Sequence, residues 1–251
     1  MKDLIGILDS GVGGVSVLQK AVELLPNENF IYYGDNAHAP YGPRSHGEIR
    51  DLSKRAVDHV LAHDVKAIVL ACNTMTAAYA AELRETAKIP VIGMEPAVKP
   101  ASLARSGGLI LAMATRATLN LEKFSRLMEL YGEDVIPVEG VGLVEIVESG
   151  KLGTAEAWEA LQAIFAPYRN RKVDGVVLGC THYPFLRSEI ESFFPDAGIF
   201  DGREGTVRHL KRRLEEIGGL SSSTERGSVR FESSSGESAV ALMQRLFASK
   251  I

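Results

Sequence analysis

Val173-Asp174-Gly175-Val176-Val177-Leu178-Gly179-Cys180-Thr181-His182-Tyr183-Pro184 begins with a nearly continuous apolar run and ends in small and polar residues. This pattern predicts a fully buried parallel strand that delivers Cys180, Thr181 and His182 at its carboxyl end. Open α/β sheets bind their ligands there. The phrase occurs once before, as Val65-Lys66-Ala67-Ile68-Val69-Leu70-Ala71-Cys72-Asn73-Thr74. The two align without a gap, pairing Val65 with Val173, Val69 with Val177, Leu70 with Leu178 and Cys72 with Cys180. The chain has two cysteines, and each ends a matching strand. The repeat predicts two α/β halves whose cysteine-bearing strand ends face each other.

A chain of 251 residues accommodates two domains of roughly 100–150 residues each. The crossover is placed where the short strand Val91-Ile92-Gly93-Met94-Glu95 runs into Pro96, with Pro100 four residues beyond. A strand around Val229-Arg230-Phe231 and a helix from about Glu237 to Ala248 make a tail too small to be a domain, so it is expected to pack back on the first half. The reading is a first α/β domain of residues 1–97 plus 206–251 and a second of residues 98–205.

Hydrophobic residues at 45% and charged residues at 24% provide for an ordinary globular core. The net charge of -4 gives no electrostatic footprint for nucleic acid. Arg208, Lys211, Arg212 and Arg213 cluster, but Glu215 and Glu216 follow, which reads as a solvated helix face. The start, Met1-Lys2-Asp3-Leu4-Ile5-Gly6-Ile7-Leu8-Asp9, is too short in its apolar run and too soon acidic for a signal peptide. No run approaches the roughly 18 apolar residues of a membrane span. Two isolated cysteines without a disulfide framework point to the reducing cytoplasm.

In chain order, Leu4 to Leu8 reads as a strand and Asp9-Ser10-Gly11-Val12-Gly13-Gly14 as a Gly-rich turn into a helix from about Val15 to Leu25. A dinucleotide site is one reading of that turn, although Ser16 stands where a third glycine belongs and Asp9 would repel a pyrophosphate. After the strand Phe30–Tyr33, the loop Gly34-Asp35-Asn36-Ala37-His38-Ala39-Pro40-Tyr41-Gly42-Pro43 reads as a wall over a site or as a surface crossover. Ser45-His46-Gly47-Glu48 has capping-box spacing and predicts a helix to about His63. Further helices are expected at Thr76–Thr86, from Thr118 to about Tyr131, at Leu143–Glu148, at Thr154–Tyr168 and from about Thr206. Thr118 is a substrate hydroxyl donor or a helix N-cap.

Two thiols, a histidine and an aspartate fit three chemistries. One is a zinc site of two cysteines and a histidine, although no Cys-x-x-Cys pair is present. A second is a redox disulfide joining the halves. The third is proton transfer at a carbon between the thiols, in which one sulfur takes a proton from one face and the other returns one on the opposite face. Equivalent residues on pseudo-symmetric halves supply that geometry directly.

Asp9-Ser10-Gly11-x-Gly13-Gly14, Gly34-Asp35, Pro40-Tyr41-Gly42, Ala71-Cys72-Asn73-Thr74, Glu95-Pro96 and Gly179-Cys180-Thr181-His182-Tyr183-Pro184 together resemble the glutamate racemases of the aspartate/glutamate racemase superfamily. The resemblance implies two pseudo-symmetric parallel-sheet α/β domains with the active site in the interdomain cleft. It implies cofactor-independent interconversion of L- and D-glutamate in the cytoplasm, with no metal, by a homodimer that supplies D-glutamate for peptidoglycan and so for the cell wall and cell shape. By the same resemblance Cys72 deprotonates D-glutamate and Cys180 deprotonates L-glutamate. Asp9 and His182 assist them, with Asp35 and Glu148 as further carry-overs. Ser10, Tyr41, Gly42, Asn73, Thr74, Thr118, Thr181 and His182, with Asp9, would hold the substrate. Asp201-Gly202-Arg203 and Glu139-Gly140-Val141-Gly142 depart from the family pattern. An aspartate racemase, a zinc-dependent hydrolase and a non-catalytic amino-acid-binding protein are the alternatives.

Overall fold

Both cysteine-bearing phrases form strands that are buried along almost their whole length in the computed structural model, which describes residues 3–251. Met1 and Lys2, the first residues of the segment read as having no leader, lie outside the described residues. The chain runs β1 (Leu4–Asp9), α1 (Val15–Leu24), β2 (Asn29–Gly34), α2 (His46–Leu61), β3 (Ala67–Leu70), α3 (Asn73–Thr86) and β4 (Val91–Gly93). It continues through α4 (Val98–Leu103), β5 (Leu109–Ala114), α5 (Arg116–Leu119), α6 (Glu122–Tyr131), β6 (Val135–Glu139), α7 (Leu143–Glu148), α8 (Ala155–Phe165), β7 (Val173–Leu178), α9 (Arg187–Phe193) and β8 (Gly198–Asp201). It closes with α10 (Arg203–Glu216), β9 (Val229–Ser233) and α11 (Glu237–Ala248). Among the described residues no helix is long and apolar enough to cross a membrane.

The chain divides into two units. One runs to Met94 and resumes at Arg203–Lys250; the other is Glu95–Gly202. The first sheet has the order β4-β3-β1-β2-β9 and the second β6-β5-β7-β8, with every pairing parallel. Read from the other edge, the second sheet is β8-β7-β5-β6. Its strands therefore follow one another in space as β4, β3, β1 and β2 do. The repeat seen in sequence is thus a repeat of topology, in which β3 and β7 occupy the same place.

Burial on both faces accounts for the composition of these strands. Ala67, Ile68, Val69 and Leu70 are all buried, as are Val176, Val177 and Leu178. In the first unit Leu8, Ile31, Ile68 and Leu70 pack against Ile49, Leu52 and Val57 of α2. Ser45 and Glu48 start α2 with the expected capping box. In the second unit Ile110, Val135 and Val177 pack against Val98, Ala101 and Phe124. The tail returns to the first unit, where β9 extends the sheet beside β2 with Phe30 opposite Val229 and Gly34 opposite Ser233. Gln19 of α1 donates to the carbonyls of Leu246 and Phe247 at the end of α11.

Asp174 interrupts the apolar run for a structural reason. Its carboxylate accepts the backbone N–H groups of Ser106 (2.5 Å) and Gly108 (2.7 Å), pinning the start of β5 beside β7. The Gly108 amide leads the groups that hold this carboxyl down to about 2, with Ser106 and Lys172 adding to it against the opposing cost of burial. A depressed folded-state value gives stability that is present above the ordinary value of 3.8 and lost as pH falls toward 2. Asp174→Asn is therefore expected to be less stable than wild type at neutral pH, and the gap should narrow through that window. Urea unfolding at a series of pH values reads it, and a pH-independent gap would detach the effect from this carboxylate.

Four helix boundaries differ from the sequence expectation. α3 starts at Asn73 rather than Thr76, because Cys72 is its N-cap. The helix expected to run from Thr118 to Tyr131 is two, broken at Asn120 and Leu121, and its cap is Thr115 rather than Thr118. The helix expected to reach Tyr168 ends at Phe165 and tightens into a 3-10 turn at Ala166–Tyr168, since Pro167 has no N–H to continue the ladder. The basic helix starts at Arg203, earlier than Thr206, with Gly205 masking its first turn.

Candidate functional site

The first unit gathers one set of polar groups at the carboxyl ends of β1 and β3. Asp9 closes β1, is fully buried, and accepts the Gly11 amide on Oδ1 at 3.0 Å. Gly14 is needed beneath it, because a Cβ there would lie 2.6 Å from the Asp9 Cβ. Cys72 stands where β3 becomes α3, so its sulfur meets a helix N-terminus, which favours negative charge. Its Sγ accepts the Met75 amide at 3.5 Å and the Ser10 hydroxyl at 3.6 Å. Asn73 and Thr74 form the buried first turn of the same helix.

The loop after β2 is tied into this group. The Asp35 amide donates to the Asp9 carbonyl at 3.0 Å. Its carboxylate accepts the Tyr41 hydroxyl at 2.7 Å and lies 2.9 Å from His38 Nδ1. Burial first, then the Asp35 charge, pushes the Tyr41 phenol far up, so it stays a neutral donor. Gly42 lies in a turn closed by the Arg44 amide on the Tyr41 carbonyl at 3.0 Å. Arg44 also donates from Nη2 to the His38 carbonyl at 2.8 Å, bracing the loop.

The second unit carries a different arrangement at the end of β7. Cys180, Thr181 and His182 are all buried. His182 Nδ1 lies 3.5 Å from Cys180 Sγ and 3.4 Å from Thr181 Oγ1, while Nε2 lies 2.7 Å from Glu148 Oε1. A carboxylate only accepts, so Nε2 bears a proton; a second proton on Nδ1 then faces the sulfur. Burial pulls His182 down, but the hydrogen bond and charge of Cys180, followed by those of Glu148, raise it well above its ordinary value. The imidazole thus sits between sulfur and carboxylate, two neighbours that both favour its protonated form.

Tyr183 is fully buried and donates to the Gly140 carbonyl at 3.4 Å. A Cβ on Gly140 would collide with the Tyr183 hydroxyl, which explains the glycine in a stretch that departs from the family pattern. Thr118 is buried within α5, its hydroxyl 3.1 Å from that of Thr115.

The geometry therefore joins Asp9, Ser10, Tyr41, Gly42, Asn73, Thr74 and Cys72 in one unit. It joins Cys180, Thr181, His182 and Glu148 in the other. Asp9 and His182 are not equivalent by topology: the counterpart of β1 is β5, which ends in Ala114, and the acid of the second unit arrives from α7. The sequence reading missed Tyr183, His38 and the Met75 amide. Glu148 entered the sequence reading only through the family resemblance, since no local pattern marks it.

The Asp/Glu/Hydantoin racemase family model matches residues 5–210. A glutamate racemase of Clostridium perfringens is 50% identical over 229 residues, covering 90% of this chain and 88% of that protein. Among solved structures, a glutamate racemase isoform of Bacillus anthracis superposes with a TM-score of 0.87 at 32% identity, covering 99% of this chain and 95% of that one. The glutamate racemase of Escherichia coli, solved with L-glutamate and the activator UDP-MurNAc-Ala, gives a TM-score of 0.86 at 28% identity, covering 98% and 94%.

Proposed function

The chain belongs to the Asp/Glu/Hydantoin racemase family and is an amino-acid racemase, an isomerase, and from that premise we propose that it interconverts L- and D-glutamate by two-base proton transfer between Cys72 and Cys180. The observation that carries the reading is the pair of cysteines at the ends of topologically equivalent strands, each hydrogen-bonded to polar side chains of its own unit.

In the proposed reaction one sulfur, as thiolate, takes the α-proton, and the electron pair of the broken C–H bond passes to the carbanion next to the carboxylate. The opposite thiol donates its proton to the other face, so the enzyme ends with the protonation of its two sulfurs exchanged. Cys72 acts on D-glutamate and Cys180 on L-glutamate. In the second unit the His182 cation balances the negative charge on sulfur, and Glu148 holds the imidazole in place. In the first, the Ser10 hydroxyl and the amide at the start of α3 stabilise the same charge, with Asp9 assisting proton movement. Ser10, Tyr41, Gly42, Asn73, Thr74, Thr118, Thr181 and His182 hold the substrate's ammonium and carboxylates. No cofactor or metal enters this chemistry.

We assign the product D-glutamate to peptidoglycan synthesis in the cytoplasm, and the working form to a homodimer. The activator of the Escherichia coli relative, a nucleotide-linked muramyl-alanine, supports the first of these. The test is L-glutamate in D2O, followed by proton NMR and circular dichroism, with chelator present and no cofactor added. Joint loss of the α-proton signal and of optical activity is expected. Exchange with aspartate but not glutamate would transfer the assignment to that substrate, and no exchange with either would refute racemisation by the thiols.

A further inference from the structure

His59, His63 and Glu232 lie apart from the groups assigned to racemisation, yet their donor atoms all fall within 4.8 Å of one another. Glu232 Oε2 is 2.7 Å from His59 Nε2 and 3.2 Å from His63 Nε2. His59 stands in the last turn of α2 and His63 in the turn just past its C-cap, Ala62, so both imidazoles come from the same end of the helix. Glu232 comes from β9, directly opposite Tyr33 of β2, and the Tyr33 ring lies 4.5 Å from the His59 ring. The other carboxylate oxygen accepts Arg230 Nη2 at 2.6 Å, so Oε2 is turned toward the imidazoles.

Two imidazole nitrogens and one carboxylate oxygen are the donor set of three-ligand zinc centres, whose fourth position is left to water. Tetrahedral bonds of about 2.0–2.1 Å set ligand atoms roughly 3.3 Å apart. The two imidazole–carboxylate separations lie within about 0.6 Å of that value and the two imidazoles within 4.8 Å of each other, so side-chain rotations bring the three donors onto one ion. Side-chain exposures of 45%, 22% and 19% leave an entry path for an ion. We propose that His59, His63 and Glu232 bind one divalent transition-metal ion of the zinc type, which fastens the edge strand β9 to α2. Glu232 lies more than 160 residues beyond the two histidines in the chain, so only the folded unit presents the site, and the bound ion stabilises that unit.

The test uses the full chain without an affinity tag. Isothermal titration with Zn2+ should give one equivalent bound at this site and a rise in thermal midpoint. His63→Ala and Glu232→Gln should each weaken binding by more than about tenfold and abolish that rise. Co2+ separates this site from the cysteines and needs no variant: nitrogen and oxygen donors give d–d absorption with no thiolate charge-transfer band. Affinities in both variants within twofold of wild type, or a Co2+ spectrum accounted for wholly by thiolate ligation, would overturn the proposal.

Discussion

Cys180→Ala should lose racemase activity about a thousandfold in both directions, and Cys72→Ala should do the same. Loss of a base that serves only L-glutamate cannot slow one direction alone, because thermodynamics forbids it. L- and D-glutamate have equal free energies in water, so kcat/KM for the two directions stays equal in any variant. The single-face roles become visible with a substrate carrying a leaving group on its β-carbon. There a thiolate takes the α-proton, the C–H electrons form a double bond, and the leaving group departs with its bonding pair, a reaction that needs one base. Cys180→Ala should eliminate from the D-analogue through Cys72, and Cys72→Ala from the L-analogue through Cys180. Racemisation by either alanine variant at more than a tenth of the wild-type rate would sink the two-base assignment.

Glu148→Gln is expected to lower kcat by about 10- to 100-fold with little change in KM. A hydrogen bond to a charged group contributes about 1.5–3 kcal/mol, and each 1.36 kcal/mol is tenfold in rate. The variant keeps the shape of the side chain and removes an anion 2.7 Å from His182 Nε2. Glu148 is one of the two groups that raise His182 above its ordinary value, so that value should fall in the variant. The imidazolium then gives up its proton at lower pH, and the alkaline limb of the kcat profile moves to lower pH. A uniform loss at all pH values with an unmoved limb would mean that Glu148 serves only packing. Glu148→Asp, which restores the charge at a shorter reach, should recover part of the shift.

The architecture was legible because the apolar runs at Ile68–Leu70 and Val176–Leu178 are buried on both faces, which leaves a mark on every residue. Their matching ends made the repeat visible before any strand was placed. The details that escaped sequence reading depend on contacts between distant residues or on a single capping atom. Nothing around Cys72 announces that its sulfur caps α3, since serine, threonine, asparagine and aspartate are the usual caps. The break between α5 and α6 was hidden because Thr115 and Thr118 both suit an N-cap, and only the fold shows which amide reaches which hydroxyl. The Glu148–His182 pairing spans 34 positions, and no local pattern relates an acid at the end of α7 to a histidine after β7.

The path of the chain through its two units bears on how the protein is made. Glu95–Gly202 is continuous in sequence, whereas β9, α10 and α11 of the other unit are encoded after it. A ribosome therefore releases every residue of the inserted unit before the first unit has received its edge strand or the helices that cover α1. Proteins ordinarily settle in the order of synthesis, amino-terminal unit first. Here the middle of the message is complete earliest, and Phe30 and Tyr32, which lie alongside Val229 and Phe231 in the finished sheet, remain uncovered on that side until translation has passed β9.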